Sequence, residues 1–266
     1  MTPAQYDEAA DSLFNAEQTG QQCGLLSRLY PGMTLDDAYA VQARLIARKL
    51  AAGRRKIGWK IGLTSRAMQD ALKIDTPDSG VLLDDMAFGN GATVPAGRFI
   101  QPRVEAEIAF AMKAPLAGAD CTREDVLAAT DYVAPSLEIL DTRVLRADPE
   151  TGKARVIVDT ISDNAANAGV VLGAERHAPD AVDLRWTGAI VSRDGVVEET
   201  GLGAGVLNDP VTSVLWLARR MADYGQQIEA GDIVLSGSFI RPVEAPAGSR
   251  FAADFGPFGS VHVTFD

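Results

Sequence analysis

The stretch RVEAEIAFAM, residues 103–112, predicts a β-strand that carries two carboxylates inside apolar sequence. Side chains alternate between the two faces of a strand, so Glu105 and Glu107 lie on one face and their apolar neighbours on the other. Two like charges on one face repel each other, and burial adds a desolvation cost. A divalent cation reverses that cost, because Mg²⁺ and Mn²⁺ prefer carboxylate oxygens. For this pair by itself, a solvated strand face is the better interpretation.

A third acidic side chain, Glu138, stands in a second apolar stretch, VAPSLEILD, residues 133–141. Its apolar neighbours take the opposite strand face. Three acids, each isolated among apolar residues, are typical of a carboxylate site that leaves metal positions open for water and substrate. Spacing does not bring the two stretches together. A metal site of Glu105, Glu107 and Glu138 and a solvated strand face therefore both remain open on this pattern.

The composition is that of an ordinary globular protein, with 266 residues of which 47% are hydrophobic and 23% charged. A formal net charge of −11 without a basic stripe argues against a nucleic acid partner. We also expect no membrane partner and a cytoplasmic location, because no apolar run reaches the length of a membrane span and no secretory leader opens the chain. A small anionic substrate is compatible with this charge, since a metal and a few cations can dominate locally.

The pattern divides the chain into an N-terminal helical region, residues 1–54, and a β-rich domain, residues 55–266, that we expect to be catalytic. Helical periodicity covers residues 2–21 and 34–52, and the second stretch opens with a capping-box-like sequence. From residue 55 onward, short β-like runs alternate with turn residues. The predicted strands cover residues 56–63, 104–112, 184–193, 232–236 and 260–265.

Two further helices and one turn are predicted inside the β-rich domain. One helix begins at Asp209-Pro210, and another begins near Ser162 or Asp163. The composition of residues 75–80, DTPDSG, predicts a turn.

The stretch KIGWKIGLT, residues 56–64, singles out Lys60. Alternation places this lysine between two glycines, on the strand face opposite Trp59. There it could contact an anion or transfer a proton, although a surface lysine on an edge strand is the commoner meaning. Asp78 follows in the predicted turn, where it could act as a general base or only stabilise the turn.

Two polar loops could bind an anionic substrate. Residues 159–169 would present Ser162 near a helix N-terminus, whose free N–H groups could hold a carboxylate or only be capped. Residues 235–242 follow a strand and place Ser238 shortly before the guanidinium of Arg241. The second signal is weak, because Gly-Ser loops are common.

Several motifs occur in one characteristic order along nearly the whole chain. They are GWKIGLTS at 58–65, PDSG at 77–80, PRVEAE at 102–107, LE at 137–138 and DTISDN at 159–164, with GSFIRP at 237–242 in agreement. In these motifs the chain resembles the 2-oxo acid hydratases and decarboxylases of the fumarylacetoacetate hydrolase superfamily. The resemblance implies an α+β fold, a mixed β-sandwich or β-roll with an N-terminal helical region. It also implies a homo-oligomer, for which a decamer of pentamers is expected.

The resemblance assigns roles to the acidic and basic residues already noted. It implies that Glu105, Glu107 and Glu138 hold Mg²⁺ or Mn²⁺ and that Lys60 and Asp78 act beside the metal. One position departs from the pattern, because the diacid hydratases of this group tend to carry a polar residue where Trp59 stands. Alternation directs position 59 away from Lys60, so this departure concerns core packing.

The activity implied is the addition of water to an unsaturated seven-carbon 2-oxo diacid, and residues 148–152 followed by 159–169 are the most hydratase-like part. We assign the distal carboxylate of such a substrate to Arg241, whereas Arg143 is expected to be structural.

Alternatives are a decarboxylase of the 4-oxalocrotonate type, a five-carbon dienoate hydratase, and a C–C hydrolase of the fumarylpyruvate kind. A non-catalytic subunit that partners a related decarboxylase is an alternative from another class.

Overall fold

The computed structural model describes residues 1–66, 69–70, 74 and 76–266, and it shows an α+β fold with two β-sheets. None of the described helices combines the length and the apolar character that crossing a membrane requires. The helices are α1 (Pro3–Thr19), α2 (Leu26–Leu29), α3 (Leu35–Ala51), α4 (Arg123–Ala129), α5 (Ile157–Ser162) and α6 (Pro210–Asp223). The strands are β1 (Lys56–Gly62), β2 (Asp78–Leu83), β3 (Ala87–Phe88), β4 (Thr93–Val94), β5 (Arg103–Met112), β6 (Thr130–Leu140), β7 (Asn167–Leu172), β8 (Gly188–Arg193), β9 (Val196–Leu202), β10 (Ile233–Leu235), β11 (Val243–Glu244), β12 (Arg250–Asp254) and β13 (Ser260–Phe265).

The larger sheet is mixed and runs in the order β2-β1-β10-β5-β6-β7-β3, with β11 pairing on β5. The smaller sheet runs in the order β4-β13-β12-β8-β9. Both sheets contribute to one apolar core, in which Phe110 of β5, Leu137 of β6 and Phe251 of β12 are almost completely buried. Burying large apolar side chains from two sheets is the main stabilising term of such a layered fold. The predicted mixed sandwich or roll is confirmed.

The two predicted N-terminal helices are confirmed as α1 and α3. Thr2 and Thr34 each close a capping box at the start of their helix, which satisfies N–H groups that would otherwise lack partners. The helices bury a joint apolar cluster that also includes Val144 of the β-rich part. Gln42 of α3 ties them to that part, because its Nε2 donates to the carbonyl oxygens of Ser79 and Ile161, each at 2.9 Å. The domain boundary between residues 54 and 55 stays a prediction.

The prediction of a helix that begins near Ser162 or Asp163 is wrong, because α5 ends at Ser162. Residues 164–166 follow with positive φ angles of 52°, 52° and 60°, a left-handed conformation that no helix can continue. The Asn164 side chain holds this turn: its Oδ1 accepts from the Val81 N–H at 2.7 Å and its Nδ2 donates to the Val81 carbonyl at 2.9 Å. A long-range contact with β2 therefore overrides the local pattern.

Two strand and turn predictions need correction as well. The predicted turn at residues 75–80 is wrong from Asp78 onward, where β2 begins, and Asp75 lies outside the described residues. The predicted strand at residues 184–193 is right only from Gly188, because residues 184–186 form a single 3₁₀ turn. Asp183 caps that turn by accepting from the Arg185 N–H at 3.1 Å.

Trp59 packs away from Lys60, as alternation predicted. Its ring contacts the apolar cluster formed by Ile46, Leu83 and their neighbours. Its indole Nε1 donates to Asp232 Oδ2 at 3.1 Å. Position 59 therefore serves core packing between β1 and α3.

A buried ion pair between Arg143 and Asp163 joins the loop after β6 to the turn before β7. The Arg143 backbone N–H and Nε both donate to the Asp163 carboxylate, and Nη2 donates to the Asp163 carbonyl at 2.7 Å. The side chains are 3% and 0% exposed, so removal of either partner leaves an uncompensated buried group. This geometry agrees with the structural role expected for Arg143.

The substitution Asp163→Asn tests this clamp. The Arg143 guanidinium loses its buried counter-charge, so we expect the free energy of unfolding to fall by about 3 kcal/mol or more, measured by urea denaturation. The matched control is Asp11→Asn, which removes a carboxylate that is 68% exposed and paired with Arg48. The control should change the free energy of unfolding by less than about 1 kcal/mol. A similar small change in both variants would contradict the structural role of the pair.

Candidate active site

Sheet register brings the three predicted glutamates together. In the antiparallel pair of β5 and β6, Glu105 stands directly opposite Glu138, and Glu107 stands opposite Ser136. Alternation along β5 adds Glu107 on the same face. Each glutamate offers one carboxylate oxygen, and these three oxygens lie within 4.8 Å of one another. Carboxylate oxygens at this spacing form a set that could hold a divalent cation.

Two of the three glutamates are buried and Glu105 is half-buried, and neighbouring groups compensate only part of their negative charge. Glu107 and Glu138 are 1% and 0% exposed. Burial, together with the charge of Glu138, raises the pKa of Glu105 to about 8 and raises the pKa of Glu107 well above its usual range. Among the described residues neither oxygen of Glu138 has a hydrogen-bond partner, whereas Glu107 Oε2 accepts from the Gly237 N–H at 2.7 Å. Buried acceptors without donors fit a bound cation, which supplies the missing positive charge.

Lys60 lies beside the cluster, as the family resemblance implied, and the surface position on an edge strand that the residues alone favoured is wrong, because β1 lies between β2 and β10. Its Nζ is 3.6 Å from Glu138 Oε1, and both side chains are buried. Burial by itself would lower the pKa of the lysine, but the nearby carboxylates of Glu138, Asp78 and Glu105 outweigh that effect and raise it above its usual range. Lys60 is therefore a buried cation.

Asp78 joins the site through its place in β2, directly opposite Gly62 of β1. A Cβ atom on Gly62 would lie 2.3 Å from Asp78 Oδ1 and 3.0 Å from Lys60 Nζ. Asp78 and Lys60 therefore both fit here because residue 62 is a glycine and has no side chain. Burial raises the pKa of Asp78, and its Oδ1 has no hydrogen-bond partner among the described residues. Asp78, a proton acceptor, therefore lies close to Lys60, a cationic proton donor.

A cavity of about 540 Å³ opens in front of these groups. The buried Glu107 and Glu138 do not line it, but Lys60, Asp78 and Glu105 do. Thr64, Ser65, Gln101, Arg103, Arg146, Arg155, Glu199, Ser238 and Arg241 are among the other lining residues. The cavity therefore combines an acidic, metal-compatible site with several cations.

The three predicted substrate-binding residues have different surroundings. Ser238 and Arg241 line the cavity, and Arg241 is ion-paired with Glu199. Ser162 does not line it: the side chain is fully buried and its hydroxyl donates to the Val158 carbonyl at 2.8 Å. The geometry therefore gives no support to Ser162 as a substrate ligand.

Sequence reasoning did not single out Arg103, Arg146 and Arg155. Arg103 could have been found, since it shares a strand face with Glu105 and Glu107 by alternation. Arg146 and Arg155 belong to a loop hairpin closed by a bridge between residues 147 and 154. No sequence period indicates which way such loop side chains point.

Comparison of the sequence with curated proteins shows the family of the chain. No family model matches the sequence. The chain is 52% identical over 256 residues to 2-oxo-hept-4-ene-1,7-dioate hydratase of Escherichia coli, a match that covers 96% of each protein. It is 41% identical to 2-keto-4-pentenoate hydratase of Paraburkholderia xenovorans strain LB400, over 100% of this chain and 97% of that protein. The chain belongs to the 2-oxo acid hydratase and decarboxylase group of the fumarylacetoacetate hydrolase superfamily.

Solved structures extend the comparison to the fold of this group. The structure of 4-oxalocrotonate decarboxylase from Pseudomonas putida G7, complexed with magnesium and adipate, has a TM-score of 0.93 and 34% identity, covering 100% of this chain and 99% of that one. Fumarylacetoacetate hydrolase from Exiguobacterium antarcticum has a TM-score of 0.58 and 15% identity, covering 79% of this chain and 75% of that one, which shows a common fold alone. The relatives named hydratases are 38–52% identical over nearly the whole chain, and by this likeness the chain is a hydro-lyase of aromatic catabolism.

The substitution Gly62→Ala tests the packing of the active site. The new Cβ would lie 2.3 Å from Asp78 Oδ1 and displaces that carboxylate by about an ångström, so we expect the hydration rate to fall on the order of 100-fold. The control is Gly89→Ala, since no heavy atom lies within 4 Å of a Cβ at that exposed glycine. The control should retain the wild-type rate, and thermal melting of both variants should show a folded protein. A Gly62→Ala enzyme with wild-type turnover would contradict the tight packing.

Proposed function

We propose that the chain is a divalent-metal-dependent hydratase that converts 2-oxohept-3-ene-1,7-dioate, through its 2-hydroxy-diene and 2-oxo-alkene tautomers, to 4-hydroxy-2-oxoheptanedioate in homoprotocatechuate degradation. The observation that carries the proposal is the cluster of Glu105, Glu107 and Glu138 beside Lys60, in which the Glu138 oxygens have no hydrogen-bond partner among the described residues. The 52% identity to a hydratase named for a seven-carbon diacid supports the choice of substrate.

The three glutamates would hold the metal, with Mg²⁺ as the proposed ion and Mn²⁺ as the alternative. The related decarboxylase is described as complexed with magnesium in one structure and with calcium in another, which supports a hard divalent cation. Three carboxylates exceed the charge of a divalent ion by one, and the Lys60 ammonium cancels that excess. When bound, such an ion supplies Lewis-acid stabilisation of negative charge on the 2-oxygen of a 2-oxo acid.

Lys60 and Asp78 would perform the proton transfers. They flank Gly62 and line the cavity, so a donor and an acceptor face the same substrate. Tautomerisation moves a proton from the 2-hydroxyl group to carbon, which leaves an electrophilic alkene carbon at C4. Water then adds at C4: Asp78 takes the proton of the attacking water, Lys60 gives a proton to C3, and transfer of a proton from Asp78 to Lys60 restores both groups.

A decarboxylase of the 4-oxalocrotonate type is the second candidate, because a decarboxylase matches this fold with a TM-score of 0.93. Its identity to the chain is 34%, against 52% for the hydratase, so hydration is the first choice. The presence of Lys60, Asp78 and all three glutamates argues against a non-catalytic subunit. A homo-oligomer, expected as a decamer of pentamers, and a cytoplasmic location stay predictions.

The assay that tests the function offers the enzyme Mg²⁺ and either 2-oxohept-3-ene-1,7-dioate or 2-hydroxypenta-2,4-dienoate. We expect loss of the ultraviolet absorbance of the diacid and a product heavier by one water, with a lower kcat/KM for the five-carbon substrate. The Lys60→Met variant should lose at least about 100-fold in kcat, because it cannot transfer a proton. Carbon dioxide release from a 2-oxo-3-enedioate without gain of water would contradict hydration and support the decarboxylase.

The substitution Glu138→Gln tests the metal assignment separately from turnover. The amide removes one of three charged ligands at nearly constant volume, so we expect Mn²⁺ affinity to fall more than about tenfold by calorimetry. The matched control is Glu198→Gln, which changes a partly exposed glutamate paired with Arg193 outside the cluster. Equal Mn²⁺ affinity in Glu138→Gln and wild type would show that the cluster does not bind the ion.

A further inference from the structure

The guanidinium groups of Arg103, Arg146 and Arg155 line the active-site cavity, and the first two share a single carboxylate. Arg103 Nη2 and Arg146 Nη1 both donate to Glu244 Oε1, each at 3.2 Å. The third, Arg155, is linked to Arg146 through the backbone, because its N–H donates to the Arg146 carbonyl at 2.9 Å. The shared glutamate is 66% exposed and compensates one of these three charges. This part of the cavity therefore attracts an anion.

Arg155 is the member of the group whose side chain has no partner within the described part of the chain. Its Nη1 is buried and has no hydrogen-bond partner among those residues. Burial lowers the pKa of this guanidinium, and the neighbouring Arg146 and Arg103 add to that effect. A buried donor without an acceptor costs free energy unless a ligand satisfies it.

Asp163 and Asp159 are the carboxylates whose charge acts on Arg155, and both already accept hydrogen bonds from other residues. Both oxygens of Asp163 accept from Arg143. Asp159 accepts from the Ser27 N–H at 2.7 Å and the Ser27 hydroxyl at 2.8 Å. Among the residues that the structure describes, neither carboxylate is therefore free to act as the counter-ion of Arg155.

Arg241, the residue expected from sequence to hold the distal carboxylate, is exposed and already has a carboxylate partner. Its side chain is 80% exposed, and Glu199 pairs with it. An exposed guanidinium that already has a carboxylate partner gains less from a second carboxylate than a buried, unpaired one.

The spacing along β5 suits a seven-carbon diacid. Glu105 and Arg103 are two residues apart on one strand face, so their Cα atoms are separated by about 7 Å. An extended chain of six carbon–carbon bonds of ~1.5 Å spans about 7–8 Å between its two carboxyl carbons. A diacid that lies along this strand face with its 2-oxo acid end at the glutamate cluster would place its other carboxylate beside Arg103, which lines the same cavity as Arg155.

We propose that Arg155, with Arg103 beside it, binds the distal carboxylate of the diacid substrate and selects seven-carbon diacids over five-carbon monoacids. This inference rests on the proposed function, since it assumes that the 2-oxo acid end is held at the glutamate cluster. A carboxylate there satisfies Arg155 Nη1 and neutralises part of the excess positive charge. Arg155 is a specificity residue and takes no part in proton transfer.

The test measures binding of two saturated ligands by calorimetry in the presence of Mg²⁺. The probes are 2-oxoheptanedioate and 2-oxopentanoate, which have no alkene to hydrate. We expect wild-type enzyme to bind the diacid more tightly. In Arg155→Met the affinity for the diacid should fall about 10- to 100-fold while that for the monoacid changes less than about threefold. Arg155→Lys should restore part of the difference, and Arg185→Met, in an exposed pair with Asp183, should leave both affinities unchanged.

The remaining outcomes would contradict either the role of Arg155 or the proposed reaction, and the two can be told apart. Equal losses for both ligands in Arg155→Met, or a loss of diacid affinity confined to Arg241→Met, would overturn the role of Arg155. Equal binding of the two ligands by wild-type enzyme would also overturn it. A wild-type enzyme that binds the diacid selectively but hydrates no unsaturated diacid would refute the proposed reaction, and the Arg155 proposal would stand on the binding data.

Discussion

Repulsion among three glutamates buried in one sheet is the constraint around which the active site is arranged. The register of β5 and β6 sets Glu138 directly opposite Glu105, and strand alternation adds Glu107. Burial leaves these charges unscreened, so the pKa values of the glutamates rise. One backbone N–H and the Lys60 ammonium offset only part of the charge. A divalent cation fits both the remaining charge and the oxygen ligands.

The same cavity carries positive charge on its other lining residues, which explains how a chain of formal charge −11 can take an anionic substrate. Local fields within a cavity, rather than net charge, decide which ligand enters. The acidic cluster suits a cation and the oxygens that it attracts, while the arginine group around Arg155 suits a carboxylate. Arg103 and Glu105 connect the two regions, because they lie two residues apart on one face of β5.

Much of the fold could be predicted because its signals are local. Helical periodicity marked α1 and α3, the second of them with a capping-box-like start, and alternation marked β1 and β5 together with the facing directions of Trp59 and Lys60. The prediction failed at Ser162, where Asn164 bonds to the backbone of β2 and holds three left-handed residues. It also failed at Asp78, where pairing with β1 extends turn-like residues into a strand. In both places a long-range contact overrides local preference.

By itself, the sequence determined the two N-terminal helices, the strand that carries Glu105 and Glu107, and the order of motifs that indicated the family. These features depend on periodicity and on residue types, which can be recognised without knowing which distant residues are in contact. Only the tertiary structure decided that Glu138 meets the other glutamates, that Gly62 makes room for Asp78 and Lys60, and that Arg155 rather than Ser162 lines the cavity. Strand register and loop placement depend on which surfaces are buried together, and one chain's local pattern does not contain that information.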